Sequence, residues 1–385
     1  AGPCRCAEPP SSNPDICVVA LTPMSCIGAA GTLNAWASPL AMHLVLHDGF
    51  HMLVCVNYHY IRPSFPELEG IRGITPTQLR SQLEQLSGIG RFVSEDDVVR
   101  MVEAEKLDDL DDLQFFITLD DGLQEQWDHA RPIFDAMGVS PVYYVSTRPL
   151  AERRLCDVHR IHHVRSLHVP ADILGVVQSF AKDAGVDVED VSVERATHQY
   201  RYDSPQTAQL KYLLNFQLPR DSRAAVAEAL ARVFIGDATA EAEVVDRLYM
   251  SAENVRSLAQ AGQLGSHAHA HAALGLLQRD DAHDDVAQSL TRLQHIGGVP
   301  MRSISYPYGS VEAAPSWMAD ILEELGLSFG VTTVRGANVD LRQPSHLRRF
   351  DNNDVPGGKA CAETPAEFVA RLRAEASASS LVGDL

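Results

Sequence analysis

Hydrophobic residues form short, nearly continuous runs along the chain, separated by segments in which they recur at helical spacing. The runs at 52–58 (MLVCVNY), 115–119 (FFITL) and 142–145 (VYYV) have the length of strands. Two further runs follow at 303–306 and 329–334. Continuous apolar runs of this length are typical of strands that are covered on both faces, as in a parallel sheet.

Helices are predicted between these runs. Thr75 is a suitable N-cap, and Pro76 occupies the first helical position. The apolar residues that share a helical face in the predicted helices are Leu79, Leu83 and Leu86; Ile133, Phe134 and Met137, before Gly138; Val255, Leu258 and Ala259, after Ser251; Val286, Leu290 and Leu293; and Met318, Ile321, Leu322 and Leu325, before Gly326. Alternating strands and helices predict an α/β fold with parallel strands, and a barrel is its natural closed form.

Four regions of the chain differ in composition and in the spacing of their apolar residues. Residues 1–51 begin rich in Pro, Ser and Gly and predict a poorly structured extension, and the folded domain is expected over 52–375. Residues 148–247 interrupt the alternation and predict a helix-rich insertion, with Val226, Leu230 and Val233 at helical spacing. Residues 376–385 predict a small polar tail. The insertion contains four histidines, His159, His162, His163 and His168. They suggest a surface helix, a lid over a substrate or a second metal site.

The composition narrows the classes of function. Of 385 residues, 45% are hydrophobic, which excludes a wholly disordered chain. The net charge of −19 argues against binding to nucleic acid or anionic membranes. No apolar run is long enough to predict a membrane span. Seven cysteines without repeated spacing, and no convincing signal peptide, predict a cytoplasmic, reducing location.

Two adjacent carboxylates follow one of the predicted strands. The segment at 118–122 reads Thr-Leu-Asp-Asp-Gly, so Asp120 and Asp121 end the strand at 115–119 and Gly122 permits a tight turn. Neighbouring carboxylates do not both ionise readily unless a cation lies beside them. A metal would allow one carboxylate to act as a ligand and the other as a base, although an ordinary Asp-Gly turn explains the pattern as well.

A histidine segment precedes a later helix. The sequence at 265–271 is Gly-Ser-His-Ala-His-Ala-His. His267 and His271 share a face if the segment is helical, and His269 joins them if it is extended, so His267 and His271 are the pair that both geometries predict. Imidazole nitrogens suit zinc and other late first-row metals, and one Asp with two His forms a metal site with open positions.

A third segment, Ser-Tyr-Pro-Tyr-Gly at 305–309, carries a strand into a turn. Pro307, Tyr308 and Gly309 can present a backbone N–H and an aromatic wall to a ligand, although turn chemistry alone accounts for them.

Together, these motifs resemble carbohydrate esterase family 4, the polysaccharide deacetylase superfamily. The first family motif is Thr-Phe-Asp-Asp-Gly, and 118–122 matches it with Leu119 for Phe. The second is His-Ser/Thr-x-x-His, matched by His267 and His271 with Ala268 in the hydroxyl position. The third is Arg-x-Pro-Tyr-Gly, matched at 307–309 with Ser305 in place of Arg. The chain resembles a divergent member with a long insertion.

The resemblance implies a distorted, seven-stranded (β/α) barrel and a metal-dependent deacetylase. Asp121, His267 and His271 would hold a divalent metal, zinc first, with Co²⁺, Ni²⁺, Mn²⁺ or Fe²⁺ as alternatives. Asp120 would be the base that activates a metal-bound water toward an N-acetyl group, and the backbone N–H of Tyr308 would stabilise the oxyanion.

Two further residues follow from branches of the family. An early Tyr-His after the first strand is matched by Tyr58 and His59, which makes His59 the candidate for the acid that protonates the leaving amine. A late Arg beside the Asp pair is matched by Arg349, with Arg348 as the adjacent rival. The usual late acid motif has no counterpart, since His346 stands in the wrong order.

The predicted substrate is an amino sugar in an oligosaccharide, a lipid-linked sugar or a glycosylated small molecule. Aromatic residues are only 6% of the chain, which disfavours a long groove for a crystalline polymer. The alternatives are an amidohydrolase acting on a non-sugar amide and a catalytically impaired barrel that binds glycan.

Overall fold

A computed structural model of the chain describes residues 51–65, 71–107, 113–183, 192–199 and 204–383. The predicted extension at 1–51, apart from its last residue, lies outside the described residues.

Five of the ten described strands fall where the apolar runs predict them, and the other five, which are two or three residues long, were not predicted from the sequence. In chain order the strands are β1 (Met52–Tyr58), β2 (Tyr60–Ile61), β3 (Gly73–Ile74), β4 (Arg91–Val93), β5 (Leu113–Leu119), β6 (Val142–Val145), β7 (Leu264–Ser266), β8 (Ser303–Ser305), β9 (Phe329–Val331) and β10 (Arg349–Asp351).

The main sheet confirms the predicted distorted barrel. Seven strands pair in the order β10-β1-β5-β6-β7-β8-β9, and all their pairings are parallel. β4 adds to the sheet beside β5, and β2 and β3 form a separate pair. The two ends of the sheet approach each other because the segment before β10 contacts β9, where Leu347 donates its N–H to the Gly330 carbonyl at 2.9 Å. The barrel is therefore nearly closed.

Strand β1 shows why these runs are continuous. All seven of its residues are buried. Met52, Val54 and Val56 join one hydrophobic cluster, while Leu53 and Cys55 join another. Because successive side chains point to opposite faces, a strand between two apolar layers has no polar face.

Helices connect the strands and fill the region between β6 and β7. The α-helices are α1 (Pro76–Ser87), α2 (Glu95–Glu103), α3 (Arg131–Met137), α4 (Arg148–Glu152), α5 (Asp157–Leu167), α6 (Pro170–Asp183), α7 (Val193–Gln199), α8 (Pro205–Tyr212), α9 (Arg220–Phe234), α10 (Ala238–Leu248), α11 (Ala252–Gln260), α12 (Arg279–Gly297), α13 (Met318–Glu324) and α14 (Pro365–Gly383). Gln126–Ala130 and Leu213–Gln217 are π-helical, and Leu274–Leu276, Pro344–His346 and Asn352–Asp354 are 3₁₀ turns. Among the described helices, none is long and apolar enough to cross a membrane.

The predicted helix signals operate as expected. Thr75 accepts a hydrogen bond from the Gln78 N–H while the Gln78 side chain accepts one from the Thr75 N–H, forming a capping box before α1. Gly138 ends α3 with φ of 66°, a left-handed conformation that costs glycine little.

The insertion has a hydrophobic core of its own. Its buried members come only from 164–230: Val164, Ile173, Val177, Leu210, Leu213, Leu214, Leu218, Val226 and Leu230. A smaller cluster, which we call the joining cluster, connects the insertion to the barrel through Tyr60, Ile71, Leu123, Leu155, Val244, Val245 and Tyr249.

The segment predicted as a small polar C-terminal tail, 376–385, is helical as far as Gly383, because α14 continues to that residue. Ala and Leu residues favour helix despite the small, polar character of the segment. Phe368 and Leu372 anchor the helix in the main core.

Candidate active site

The two aspartates reach one site because the chain turns sharply after β5. The Asp120 N–H still bonds the Tyr58 carbonyl at 3.0 Å, in continuation of the sheet. Asp121 then has φ of 81° and Gly122 has φ of 69°. A Cβ on Gly122 would lie 3.0 Å from Val145 side-chain carbons, so the left-handed conformation and the tight space both favour glycine there. The turn predicted from the sequence is present, and it redirects Asp121 toward the histidines.

The histidine segment is neither helical nor extended. It leaves β7 as a loop in which Ala268 and His271 have positive φ, 57° and 55°. Nε2 of His267 lies 3.5 Å from Oδ1 of Asp121, and Nε2 of His271 lies 3.2 Å from the same oxygen. His269 points elsewhere and contacts Thr147 and Glu152. His267 and His271 thus share a side as predicted, while the extended alternative that added His269 is wrong.

Asp285 holds this loop in place. Its carboxylate accepts the N–H of His269 at 2.7 Å and that of Ala270 at 3.1 Å. Two charge-assisted bonds stabilise a backbone that non-glycine residues rarely adopt. Asp285 has no motif around it, so the sequence offered no signal for this role.

The trio of Asp121, His267 and His271 fits a divalent metal. Its three ligand atoms lie within 4.8 Å of one another, and all three residues are buried. Nδ1 of His267 lies 2.7 Å from the Ser305 carbonyl oxygen and must donate its hydrogen to it. Nε2 therefore carries no hydrogen, and its lone pair is free to bind a metal. Oδ1 of Asp121 is buried without a hydrogen-bond partner among the described residues. One carboxylate oxygen and two imidazoles are a donor set that zinc and similar metals accept.

Arg349 holds the carboxylate of Asp120 in place, while Arg348 is exposed. Nη1 of Arg349 lies 2.9 Å from Oδ1 of Asp120 and Nη2 lies 2.8 Å from Oδ2, a bidentate pair. Arg349 also donates to Thr118 Oγ1, Ser305 Oγ and the Thr332 carbonyl. Ser305 stands where the family motif has Arg, and Arg349 brings a guanidinium to that place from another strand.

The charges of the two aspartates are set by different neighbours. Burial alone would raise the pKa of Asp120, but Arg349 and, less strongly, His267 outweigh it and lower that pKa to about 2. Burial opposes ionisation of Asp121 too, and contacts with His159, His267 and His271 hold its pKa well below the usual range. Both carboxylates are therefore ionised at neutral pH.

His59 lies at the edge of the site. Its Nε2 is 4.0 Å from Oδ2 of Asp120, beyond a hydrogen bond, and its side chain is 38% exposed. His346 lies elsewhere, with Nε2 3.1 Å from the Ala314 carbonyl. Of the two, His59 is the histidine that reaches the aspartates.

The Pro-Tyr-Gly turn lies beside the metal-ligand candidates. The Tyr308 ring stacks edge-on against His271, with centroids 5.2 Å apart, and Tyr308 is half-exposed. Pro307 and Gly309 are buried. A Cβ on Gly309 would lie 2.5 Å from the Thr333 nitrogen, so a larger residue would displace the turn.

One site residue comes from the insertion. His159, on α5, is fully buried, and its Nε2 lies 3.2 Å from Oδ2 of Asp121. The prediction of a surface helix is therefore wrong for His159, while His162 and His163 are half-buried. The local density of histidines was the available signal, but nothing in the spacing indicated which one faces the aspartates.

Comparison with known proteins supports two of the three motifs, the histidine segment and the Pro-Tyr-Gly turn. The model of the polysaccharide deacetylase family matches residues 227–330, about a quarter of the chain, including His267, His271 and the Pro-Tyr-Gly turn. This match confirms the predicted resemblance and supports a hydrolytic deacetylase acting on a sugar. No curated protein matches the sequence significantly.

Several solved structures are similar at low identity. The Streptococcus pyogenes deacetylase PplD in complex with acetate has a TM-score of 0.48 and 15% identity, with 78% of this chain and 92% of that one covered. IcaB from Ammonifex degensii has a TM-score of 0.44 and 16% identity, covering 78% and 91%. The BpsB deacetylase domain from Bordetella bronchiseptica has a TM-score of 0.44 and 16% identity, covering 78% and 96%. Similarity at this level says nothing about substrate.

Proposed function

We propose that this chain is a metal-dependent hydrolase that removes an N-acetyl group from an amino sugar. The observation that carries this assignment is one buried arrangement. Asp121, His267 and His271 converge through their ligand atoms, while Asp120 beside them is held as a carboxylate by Arg349. A binding protein would have no use for an ionised base next to a ligand set of this kind.

The chemistry divides between the two aspartates. Asp121, His267 and His271 would hold a divalent ion, which when bound acidifies water and polarises a carbonyl oxygen. Asp120 accepts the proton of the water that attacks the acetyl carbonyl. Because Arg349 lowers its pKa, Asp120 stays ionised, and the bidentate contact keeps the carboxylate from rotating away.

Release of the amine requires a proton. His59 is the candidate donor, because it lies beside Asp120 and is open to solvent. When the C–N bond breaks, its electrons go to nitrogen, and a proton from His59 completes the amine as acetate leaves. The backbone N–H of Tyr308 is the candidate donor to the oxyanion.

The contribution of the insertion favours a compact substrate. His159 faces Asp121 directly, and next to it the Tyr60 hydroxyl lies 3.0 Å from Nδ1 of His162. The insertion therefore packs directly against the candidate metal site, and a segment placed there favours a compact substrate over a long polymer groove. We propose an oligosaccharide end, a lipid-linked sugar or a sugar-bearing small molecule as substrate.

The test measures metal content and acetate release together. Wild-type protein reconstituted with Zn²⁺ is expected to hold one ion per chain and to release acetate from N-acetylated amino sugars. The double variant His267→Ala/His271→Ala is expected to lose both.

His295→Ala is the matched control, because His295 lies exposed on α12 away from the trio. It should keep both metal and activity. Bound metal without acetate release from any N-acetylated sugar would contradict the sugar deacetylase and point to a non-sugar amide. Absence of bound metal in the reconstituted wild type would overturn the proposed mechanism.

A further inference from the structure

The structure places a histidine of the insertion against a candidate metal ligand of the barrel. His159 has no exposed surface, and its Nε2 lacks a well-directed hydrogen bond among the described residues. The polar atom it faces is Oδ2 of Asp121, at 3.2 Å. A buried polar side chain aimed in this way needs an explanation, because burying an unpaired donor or acceptor is costly.

The two oxygens of Asp121 face different partners. Oδ1 faces Nε2 of both His267 and His271. Oδ2 faces Nε2 of His159. The group of mutually close ligand atoms among the described residues contains Asp121, His267 and His271 but not His159. His159 therefore lies on the outer side of the carboxylate.

The Tyr249 hydroxyl and the Asp121 carboxylate together indicate which nitrogen of His159 carries the hydrogen. The hydroxyl lies 2.6 Å from Nδ1 of His159, and its oxygen already accepts the Cys156 N–H at 3.2 Å. Because the carboxylate that faces Nε2 can only accept, the arrangement that satisfies both contacts directs the hydroxyl hydrogen at Nδ1. An imidazole that accepts at Nδ1 carries its hydrogen on Nε2, the atom that faces Asp121.

The chain segment that contains Tyr249 also contacts the turn that follows Asp121. Leu123 and Tyr249 form an antiparallel bridge, and the Met250 N–H donates to the Gly122 carbonyl at 2.9 Å. On the other side, Glu241 accepts from Arg160 Nε at 2.8 Å and from the Leu155 N–H at 3.0 Å, which fixes the start of α5. Residues 249–250 therefore hold the backbone of the turn, and His159, which contacts Tyr249, faces the Asp121 side chain.

We propose that His159 is a positioning residue of the metal site. Through a chain from Tyr249 to His159 to Asp121, it donates a hydrogen bond to the outer oxygen of Asp121 and directs Oδ1 toward the metal. This inference rests on the metal site of the proposed function and adds the insertion to it. Outer partners of this kind orient ligands and raise metal affinity.

The test compares metal binding by the full-length protein and four variants, using Zn²⁺ against a chromophoric chelator and Co²⁺ for its absorption spectrum. His159→Ala is expected to weaken Zn²⁺ binding by about 10- to 100-fold while the Co²⁺ spectrum keeps the same coordination number. His159→Gln, which retains an N–H donor, should recover most of the affinity. Tyr249→Phe should show a smaller loss.

His163→Ala is the matched control, since His163 lies on the same helix without facing Asp121, and its affinity should equal the wild type. Unfolding of each metal-free variant, followed by circular dichroism, separates misfolding from a change at the site.

Three results would overturn the inference. The first is wild-type affinity in a folded His159→Ala variant. The second is a Co²⁺ spectrum that loses a nitrogen ligand in that variant, which would make His159 a direct ligand. The third is the absence of metal binding in the wild type, which would remove the proposed function as well. Metal binding that depends on His159 without acetate release would support the inference and count against the proposed reaction alone.

Discussion

The barrel and the insertion contribute to the site in different ways. The barrel supplies Asp120, Asp121, His267 and His271 from the ends of its strands, and sharp turns aim them. Six non-glycine residues among those described have positive φ, and four of them, Asp121, Ala268, His271 and Tyr308, lie in the three motifs. The insertion supplies His159 from the first turn of a regular helix. Strained turns can bring neighbouring residues of one strand end to one point, whereas a helix delivers one side chain through packing.

The barrel and the insertion also differ in how their parts are joined to the rest of the molecule. The strands of the barrel are joined by continuous ladders and share two large cores. The insertion encloses its own core and meets the barrel through the joining cluster and the contacts around Glu241. We therefore expect changes in the barrel to act on chemistry directly, and changes in the insertion to act on stability and metal affinity first.

The largest effect is expected at the proposed base. Asp120→Asn should lower kcat/KM by about 10²- to 10⁴-fold, because an amide cannot accept the proton. Metal content should remain near one per chain, since Asp120 is not in the ligand trio. Steady-state kinetics with elemental analysis checks both. Retained activity would exclude Asp120 as the base.

The next effect tests the buried ion pair of the barrel. Arg349→Met should lower the free energy of unfolding by about 3–5 kcal/mol, because Asp120 would remain buried without its partner. Since Arg349 lowers the pKa of Asp120, its removal should raise that pKa and move the acidic limb of the pH–rate profile to higher pH. Urea denaturation and pH-dependent kinetics measure the two. An acidic limb that stays in place would show that Asp120 does not set it.

A matched pair of core truncations compares the regions directly. Leu230 in the insertion and Leu293 in the barrel are both fully buried, so each change to Ala should cost about 2–5 kcal/mol. Leu230→Ala should weaken metal binding and produce an early unfolding step, while Leu293→Ala should shift the main transition. Identical single transitions for both would mean that the insertion and barrel unfold as one unit.

The smallest effect concerns pH and the insertion. Burial and, less strongly, His159 lower the pKa of His162 to about 3, below its ordinary value of 6.5. Between these values the unfolded chain binds a proton that the folded chain does not, so the free energy of unfolding should fall as the pH drops from 6.5 toward 3. The contribution is at most about 1.4 kcal/mol per pH unit. His162→Gln should flatten the slope in denaturation at pH 7, 6 and 5, and an unchanged slope would assign it to other groups.

Much of this molecule was predictable because its signals are local. Strand β1, the capping box at Thr75 and the glycine that ends α3 each depend on residues a few positions apart. The identities of the three motifs are local too, and with them the resemblance to a family. The helix that replaces the predicted tail shows the limit, since small polar residues are compatible with both structures.

From its sequence alone, this protein is an α/β chain with alternating buried strands, a helix-rich insertion and a candidate ligand set in Asp121, His267 and His271. Only the tertiary structure decided that Arg349 and not Arg348 pairs with Asp120, across 229 positions of chain, and that His159 faces Asp121. It also decided that the histidine segment is a loop. The physical reason is that these outcomes depend on which distant elements pack together, and residue spacing within one segment carries no record of that.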